Sequence, residues 1–216
     1  MKKIDAQSKE LKEVNRTLRQ SLNGGLVEIK NAGKLHGLAA GLDRGEVVVR
    51  GNAGDYLGVL NSGGTIRVTK NAGKYVADNM TDGSVIIEGD ADYGVGQYCY
   101  GGTIVVHGNA GDFTATMNKG ATIIVNGDVG DEVGTYMLAG DLVVVGNAGE
   151  NFANYLICGD VYIGGEWKSL GHNTKLKSLT KRDIGKLEKY FEAHGLDADP
   201  AGFKKIVAAS EKPFYH

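Results

Sequence analysis

The sequence predicts an all-β fold: a single-stranded, right-handed parallel β-helix of about eight coils, with helical segments at both ends. Two observations predict it, namely a unit that recurs from Gly25 to about Gly171 and aliphatic residues at fixed positions of that unit. The first interval between unit starts is 20 residues and each later one is 19, with starts at Gly25, Gly45, Gly64, Gly83, Gly102, Ala121, Gly140 and Gly159.

Each unit contains two aliphatic positions, which lie two and four residues after its start. Because alternate residues of a strand face the same side, the pair predicts one short strand per coil, with its inner face buried on the neighbouring coils. Most of these residues are β-branched, which suits a strand. The first position holds Val27, Val47, Ile66, Val85, Ile104, Ile123, Leu142 and Val161, and the second holds Ile29, Val49, Val68, Ile87, Val106, Val125, Val144 and Ile163.

Glycines at fixed spacing follow the strands, as in the segment from Gly51 to Gly58, which reads GNAGDYLG. Glycine suits positions that need a positive φ or a close approach between backbones, so these residues predict the turns of each coil. The repeat glycines are Gly51, Gly54, Gly58, Gly108, Gly111, Gly127, Gly130, Gly134, Gly146 and Gly149.

Three further columns complete the predicted coil. Asn or Asp occupies one turn position, where its side chain is expected to bond its own backbone. Only Gly or Ala occupies another, and the position before it predicts the inward face of a second short strand. The columns are Asn52, Asn71, Asp90, Asn109, Asp128 and Asn147; Gly58, Ala77, Gly96, Ala115, Gly134 and Ala153; and Leu57, Val76, Val95, Thr114, Val133 and Phe152.

The two ends predict helical caps at residues 1–24 and 172–216, on either side of a β-helix at 25–171. Apolar residues at helical spacing and residues that favour helix ends indicate three helices. The aromatic tail 213–216 either packs on the solenoid or reaches a partner. The residues that bound the helices are Asp5 and Asn23–Gly24 for the first, Thr180 and Gly195 for the second, and Asp199–Pro200 at the start of the third.

Composition limits the setting of the chain. A net charge of -2 and a pI near 6.2 give no electrostatic reason to expect nucleic acid or an anionic membrane as a partner. The first residues are charged and lack an apolar run, so we expect no signal peptide, no membrane span and a cytoplasmic location. Cys99 and Cys158 lie three coils apart, without metal-ligand spacing, and are expected to be small buried residues.

No catalytic, cofactor-binding or metal-binding residue is predicted in this chain. The five histidines are scattered, without a second ligand at zinc spacing. The repeated Gly-x-x-Gly segments lead into strands, whereas a phosphate-binding loop leads into a helix. An acidic column resembles a calcium-binding roll but is interrupted by Lys74 and Tyr93, so solvated turn charges are the better interpretation. That column is Asp55, Asp112, Asp131 and Glu150.

One column suggests a function. Between the two inward positions of each strand lies an outward position, and five consecutive coils place an apolar residue there. An exposed apolar stripe of this size predicts either a partner face or burial under the chain's own terminal helices. The outward stripe is Ile86, Val105, Ile124, Val143 and Tyr162.

These residues resemble a known family. The Gly-x-x-Gly-x-x-x-Gly coils, with Gly63–Gly64 before the next strand, are similar to the C-terminal β-helix domain of the glutamate synthase large subunit. The segment Val14–Leu18, which reads VNRTL, resembles the segment that leads into that domain. The resemblance covers essentially the whole chain, and the ending from Ile163 to Gly171 is closer to stand-alone subunits of the family.

The resemblance implies a structural role. In glutamate synthase, separate domains hydrolyse glutamine and reduce 2-iminoglutarate on FMN beside an iron-sulfur cluster, while the β-helix domain joins them. We therefore expect glutaminase-type and FMN synthase-type partner subunits, with the FMN and the cluster held by those partners. Met1 offers no N-terminal cysteine nucleophile, and two isolated cysteines cannot hold a cluster.

Other classes stay open. The β-helix subunit of formylmethanofuran dehydrogenase and the middle subunit of methylamine-glutamate N-methyltransferase share the repeat, so either complex could contain this chain. An independent binding module or an enzyme that uses the solenoid surface is a further alternative. A convergent set of acids or histidines would favour it, and the sequence does not predict one.

Overall fold

The computed structural model describes residues 2–22 and 25–210. In this part of the chain, eleven strands form one sheet, in which the first nine follow chain order and the last two, β10 (Thr174–Lys177) and β11 (Lys204–Ala208), are exchanged so that β11 lies next to the ninth strand. The first nine strands pair in parallel, each with the next, which confirms the predicted β-solenoid. Their bounds are β1 Lys2–Asp5, β2 Leu26–Lys30, β3 Glu46–Arg50, β4 Ser62–Val68, β5 Asp82–Ile87, β6 Thr103–Val106, β7 Lys119–Val125, β8 Ala139–Val144 and β9 Asp160–Ile163.

The predicted register of the strands is confirmed. Val106 lies opposite Ile87 on one side and Val125 on the other, and the aliphatic columns stay aligned along β2 to β9. All residues of both columns are buried, because each coil covers the inner face of its neighbours. Seven strand-to-strand steps connect the eight predicted strands, so the solenoid makes about seven turns rather than eight.

The second strand of each coil is not found. The inward column that contains Leu57 is buried as expected, but its segment has the left-handed conformation at every second residue. In one coil Tyr56, Gly58 and Leu60 have φ values of 56°, 64° and 60°. The same alternation recurs in the later coils, at Tyr75, Ala77 and Asn79; at Gly94, Gly96 and Tyr98; at Phe113, Ala115 and Met117; at Glu132, Gly134 and Tyr136; and at Asn151, Ala153 and Tyr155.

This alternation gives the turn segments their own ladder of hydrogen bonds. The N–H of Tyr56 donates to Lys74 O in the next coil at 2.7 Å, and the N–H of Leu60 donates to Asp78 O at 2.9 Å. The residue between them points the other way, and the N–H of Gly58 donates to Leu38 O in the preceding coil at 2.9 Å. Backbone groups on this side of the coil are therefore paired without an extended strand.

The middle position of each alternation admits only Gly or Ala because its side chain would point into the core. A Cβ on Gly58, with its φ of 64°, would lie 2.7 Å from Ile66 Cδ1. A Cβ on Gly96 would lie 2.6 Å from Ile123 Cδ1. Ala77 and Ala115 fit there with no exposed surface. The restriction is therefore one of space as well as of φ.

The Asn/Asp column bonds to the next coil, whereas the sequence suggests bonds to its own backbone. Asp90 Oδ1 accepts a hydrogen bond from Asn109 N at 2.8 Å, and Asn109 Oδ1 accepts one from Asp128 N at 2.8 Å. The acidic column forms a second such ladder, in which Asp112 Oδ1 accepts from Asp131 N at 2.8 Å. These polar side chains therefore join successive coils at the corner that follows the strand.

The N-terminal segment is a strand followed by a helix. Asp5 ends β1 and does not cap the helix: its Oδ1 accepts hydrogen bonds from Gln7 N and Asn31 Nδ2. Helix α1 spans Leu11–Ser21, and its N-cap residue Glu10 makes no side-chain cap. The predicted end of this helix at Asn23–Gly24 lies outside the described residues. Strand β1 adds a further parallel strand that the sequence does not predict, because its four residues carry little pattern.

Helix α1 supplies hydrogen-bond partners for the backbone groups at the open edge of the first turn segment. In later coils the middle residue of the alternation donates to the preceding coil, but Ala39 has no preceding coil. Asn15 takes its place: Asn15 Oδ1 accepts from Ala39 N at 2.9 Å, and its Nδ2 donates to Gly37 O at 2.9 Å. Val14 and Leu18 pack beside it into the core. The segment Val14–Leu18 therefore ends the solenoid both by packing and by hydrogen bonding.

The C-terminal segment closes the other end with a helix and two antiparallel strands. Helix α2 spans Lys181–His194, with the predicted limits at Thr180 and Gly195. The predicted third helix is wrong: Asp199 caps one short 3₁₀ turn, Pro200–Gly202, and strand β11 follows at Lys204–Ala208. Strand β11 pairs antiparallel with both β9 and β10, where β10 is Thr174–Lys177. The division at residues 24 and 171 stays a prediction, and the tail 213–216 lies outside the described residues.

Replacing Asn15 with Ala is expected to lower the free energy of unfolding by about 1–3 kcal/mol, because it leaves the buried N–H of Ala39 without an acceptor. The matched control is Arg16→Ala on the exposed side of the same helix. Urea unfolding of both variants checks this. Equal transition midpoints for the two variants would contradict the edge-capping role of Asn15.

Candidate docking surfaces

The outward stripe is covered by the chain's own C-terminal segment, which is one of the two alternatives that the sequence leaves open for it. Val105, Ile124, Val143 and Tyr162 have no exposed surface, and Ile86 at the end of the stripe is half-buried. They pack in one cluster with apolar residues of α2 and the segment after it. Those covering residues are Leu187, Phe191, Leu196 and Phe203.

Capping interactions fix the start of α2 beside the stripe. Thr180 accepts a hydrogen bond from Asp183 N, and Asp183 in turn accepts from Thr180 N, which forms a capping box. The helix ends at Gly195, which has a φ of 66°. Leu187 and Phe191 fall one turn apart and face the sheet. The helix therefore lies on the apolar part of the sheet, over the outward residues from Val105 to Tyr162.

A cluster of charged and hydroxyl groups joins α2 and β11 to the last two parallel strands. Lys205 Nζ lies 2.6 Å from Asp183 Oδ1 and 2.8 Å from Asp160 Oδ1. Tyr162 Oη donates to Asp183 Oδ1 at 2.7 Å. Lys186 Nζ lies 2.8 Å from Asp141 Oδ1 and 3.2 Å from Asp160 Oδ2. The cluster therefore connects residues of four different elements.

The environment of this cluster lowers the pKa of Asp160 and Asp183 and raises the pKa of Lys186 and Lys205, so it favours their charged forms. Burial opposes ionisation of Asp183, but hydrogen bonds from Lys205, Thr180 and Tyr162 outweigh it and lower its pKa. Burial likewise opposes the charge on Lys205, yet its bonds to Asp160 and Asp183 raise its pKa. The pKa of Tyr162 is raised by burial and by its bond to Asp183. Every member has a partner within the cluster, so these groups serve to attach α2 and β11.

Replacing Asp183 with Asn is expected to lower the free energy of unfolding by about 3 kcal/mol at neutral pH, because it removes one partner of a buried ion pair. Its pKa is lowered in the folded state, so its contribution is present above the ordinary value of 3.8 and is lost as the pH falls further. The gap between the variant and the wild type should therefore narrow below pH 3.8. Denaturant unfolding at a series of pH values measures this difference in the free energy of unfolding, and Asp197→Asn, at an exposed position, is the control. A difference that does not change with pH would contradict the role of the Asp183 charge.

The opposite side of the solenoid remains uncovered over most of its length. We call it the turn face: the outward side chains of residues 55–62 and of the corresponding segments of later coils, through residue 157. Six of the seven large hydrophobic side chains that are exposed within residues 2–22 and 25–210 lie there. They are Tyr56, Leu60, Tyr98, Tyr100, Tyr136 and Leu138.

Aromatic rings stack from coil to coil in two rows on the turn face. In the first row the ring of Tyr75 lies 4.9 Å from that of Tyr56 and 5.4 Å from that of Tyr93, and Phe113 follows at 5.1 Å. In the second row the rings of Tyr136 and Tyr155 stack at 5.4 Å. These spacings are close to the repeat of the strands, about 4.8 Å, so the rows follow the axis of the solenoid.

A polar column separates the two rows and forms the floor of the turn face. Thr135 Oγ1 donates to Glu132 Oε2 at 2.9 Å, and Asn154 Nδ2 donates to the same oxygen at 3.2 Å. Two floor atoms, Asp78 Oδ1 and Thr116 Oγ1, are buried without a hydrogen-bond partner in the described structure. Desolvation also raises the pKa of Asp78. The column begins at the apolar Val59 and continues with the polar residues Asp78, Gln97, Thr116, Thr135 and Asn154.

The repeat glycines lie where the backbone has a positive φ or approaches a neighbouring coil closely. Gly51 and Gly134 have φ values of 110° and 75°, and Gly58 shares the core-facing column. The others lie against the preceding coil, where a Cβ on Gly54 would be 2.5 Å from Leu35 O and one on Gly127 would be 2.7 Å from Gly108 O. The remaining close approaches to the preceding coil are those of Gly108, Gly111, Gly130, Gly146 and Gly149.

The two cysteines differ. Cys99 is buried as predicted, and burial raises the pKa of its thiol to about 12. Cys158 is exposed, so its prediction as a buried residue is wrong. Within residues 2–22 and 25–210 no group of three His, Cys, Asp or Glu side chains is arranged to hold a metal ion. None of the helices in that part of the chain combines the length and the apolar character needed to cross a membrane.

Comparison with known proteins places the chain in a family. It matches the GXGXG motif family over residues 2–196, which is most of its length, and so belongs to that family. This is the family of the glutamate synthase C-terminal β-helix domain, which confirms the resemblance seen in the sequence. The chain is also similar to Protein GlxC of Rhizobium meliloti (strain 1021), with 40% identity over 81 residues. That match covers 36% of this chain and 36% of the relative.

Proposed function

We propose that this chain is a non-catalytic structural subunit of a glutamate synthase-type complex, in which it links a glutaminase-type subunit to an FMN-dependent synthase-type subunit. Membership of the GXGXG motif family over residues 2–196 is the observation that carries the proposal. In such a complex the solenoid supplies a rigid body with two separate sides, one of which is already covered by α2. FMN and the iron-sulfur cluster belong to the partner subunits.

The arrangement of ionisable groups supports a structural role. The buried cluster around Asp183 and Lys205 is an obvious place for proton-transfer chemistry, but its acids, lysines and tyrosine bond to one another across α2, β9 and β11. The interior of the solenoid is filled by the aliphatic columns, which have no exposed surface. Neither region offers an open concave site lined by unused catalytic groups.

The related complexes differ in their partner subunits rather than in this fold. A formylmethanofuran dehydrogenase-type complex would pair the chain with a molybdenum or tungsten subunit, and a methylamine-glutamate N-methyltransferase complex would contain it as the middle subunit. The first of these is distinguished by the metal that co-purifies with the chain. The second is distinguished by the reaction that the assembled complex catalyses.

Purified alone, the chain is expected to show no glutaminase activity, no bound FMN and no bound iron. Expressed together with the glutaminase-type and FMN synthase-type subunits of its source organism, it should co-purify with both in fixed stoichiometry. Activity assays, the absorption spectrum of FMN and iron analysis check the first part, and size-exclusion chromatography with light scattering checks the second. Turnover or a stoichiometric cofactor in the isolated chain would contradict the proposal.

A further inference from the structure

The corner beside the first aromatic row of the turn face carries an acidic rim. Its seven carboxylates recur along successive coils, and within the described residues none of them forms an ion pair, whereas the acids of the α2 cluster all do. From Gly89 to Asn151 the sequence contains a single Lys or Arg, Lys119, and its Nζ bonds Tyr100 Oη at 2.8 Å. The rim consists of Asp90, Asp92, Asp112, Asp128, Asp131, Glu132 and Glu150.

Such a row has an unfavourable self-energy. Asp112, Asp131 and Glu150 follow one another at a spacing of about one coil, roughly 4.8 Å, on backbone that the ladders hold in place, and Asp90 and Asp128 lie two coils apart with Asn109 between them. The rim also lies next to exposed aromatic rings, which attract cations through their faces in addition to offering apolar area. One kind of occupant would both neutralise the rim carboxylates and cover the exposed rings, namely a surface that carries positive charge between apolar residues.

The floor of the turn face gives an independent indication that the surface is incomplete. Thr116 is only 8% exposed, and its Oγ1 has no hydrogen-bond partner in the described structure. Its neighbours in the same column, such as Thr135, bond to the rim at Glu132, so the column faces outward. A buried polar atom without a partner costs about 1–3 kcal/mol and is rare in native structures. A bound partner that reorders this floor can supply the missing bond.

We propose that the turn face, from Tyr56 to Glu150, binds a basic surface of a partner subunit. Arginine and lysine side chains of that subunit pair with the rim carboxylates, and its apolar residues cover the aromatic rows. Arginine suits this site best because its planar guanidinium can stack on tyrosine while it donates to a carboxylate. Nucleic acid is excluded as the occupant, because its phosphates would be repelled by the rim. This inference rests on the proposed function and identifies where the partner docks.

The size of the face agrees with a stable interface. Six coils at about 4.8 Å each extend over about 29 Å. A standard protein interface covers about 800 Å² on each partner, which corresponds to a patch roughly 28 Å on a side. The turn face is therefore long enough to bind one partner. The outward stripe on the strands cannot bind one in the same way, because α2 already covers it.

The test uses the full chain co-expressed with the glutaminase-type and FMN synthase-type subunits of its source organism. Asp92→Lys/Glu150→Lys reverses two exposed rim charges whose side chains do not carry the ladder bonds between coils. It is expected to weaken the complex at least tenfold, and wild-type binding should weaken as salt rises. The matched control, Glu188→Lys/Glu192→Lys on the exposed side of α2, makes the same change in net charge and should bind as the wild type does.

A second pair of variants guards against loss of folding. Leu60 and Tyr98 have φ values of 60° and 57°, a conformation that Asn adopts readily, so Leu60→Asn/Tyr98→Asn should fold while removing apolar contact area. It should also weaken the complex.

The outcomes separate the two proposals. A wild-type chain that binds neither subunit overturns the proposed function and this inference together. A complex that forms with unchanged affinity in both turn-face variants, or that is weakened equally by the α2 control, overturns this inference alone and leaves the structural role standing.

Discussion

Hydrogen bonding between successive coils on the turn face is the constraint on which the rest of the structure depends. Each turn segment places every second residue in the left-handed region, so that its N–H groups point alternately to the next coil and to the preceding one. Tyr56, Phe113 and Glu132 adopt a conformation that costs such residues about 1–2 kcal/mol each relative to their usual one. The hydrogen bonds to both neighbouring coils, together with burial of the column that contains Leu57, offset that cost. They also keep successive coils in register.

The same constraint gives the molecule two different sides. On the strand side, the outward residues from Val105 to Tyr162 form an apolar surface, and α2 covers it. On the turn side, the left-handed residues carry large side chains outward in stacked rows, because the inward position admits only Gly or Ala. The same hydrogen-bonding requirement applies at the N-terminal end of the solenoid, where Asn15 makes the bonds that a preceding coil would have made. One side of the solenoid is therefore closed by the chain itself and the other is open.

The sequence predicted the features that depend on local periodicity. A strand register has only two choices of face, so the aliphatic columns determined it, and the limits of α2 followed from Thr180 and Gly195. The alternating φ values could not be predicted, because residues such as Tyr56 and Met117 do not favour the left-handed region and only their neighbours in space impose it. The prediction of a third helix was wrong because Lys204–Ala208 is stabilised more by pairing with β9 and β10 than by forming a local helix. The ionic cluster joins residues far apart in sequence, such as Asp160 and Lys205, so it left no local signal.

The most direct test of the central claim is residue-resolved hydrogen exchange of the native chain by NMR. If the turn segments form a continuous ladder, the amides of Ala77 and Ala115, which donate to Leu57 O and Val95 O at 2.8 Å, should exchange as slowly as those of the buried strands. Tyr75 and Phe113, which donate to the next coil, should do the same. Rapid exchange of these amides beside slow exchange in the strands would show that the turn segments are ordinary loops and would contradict the account.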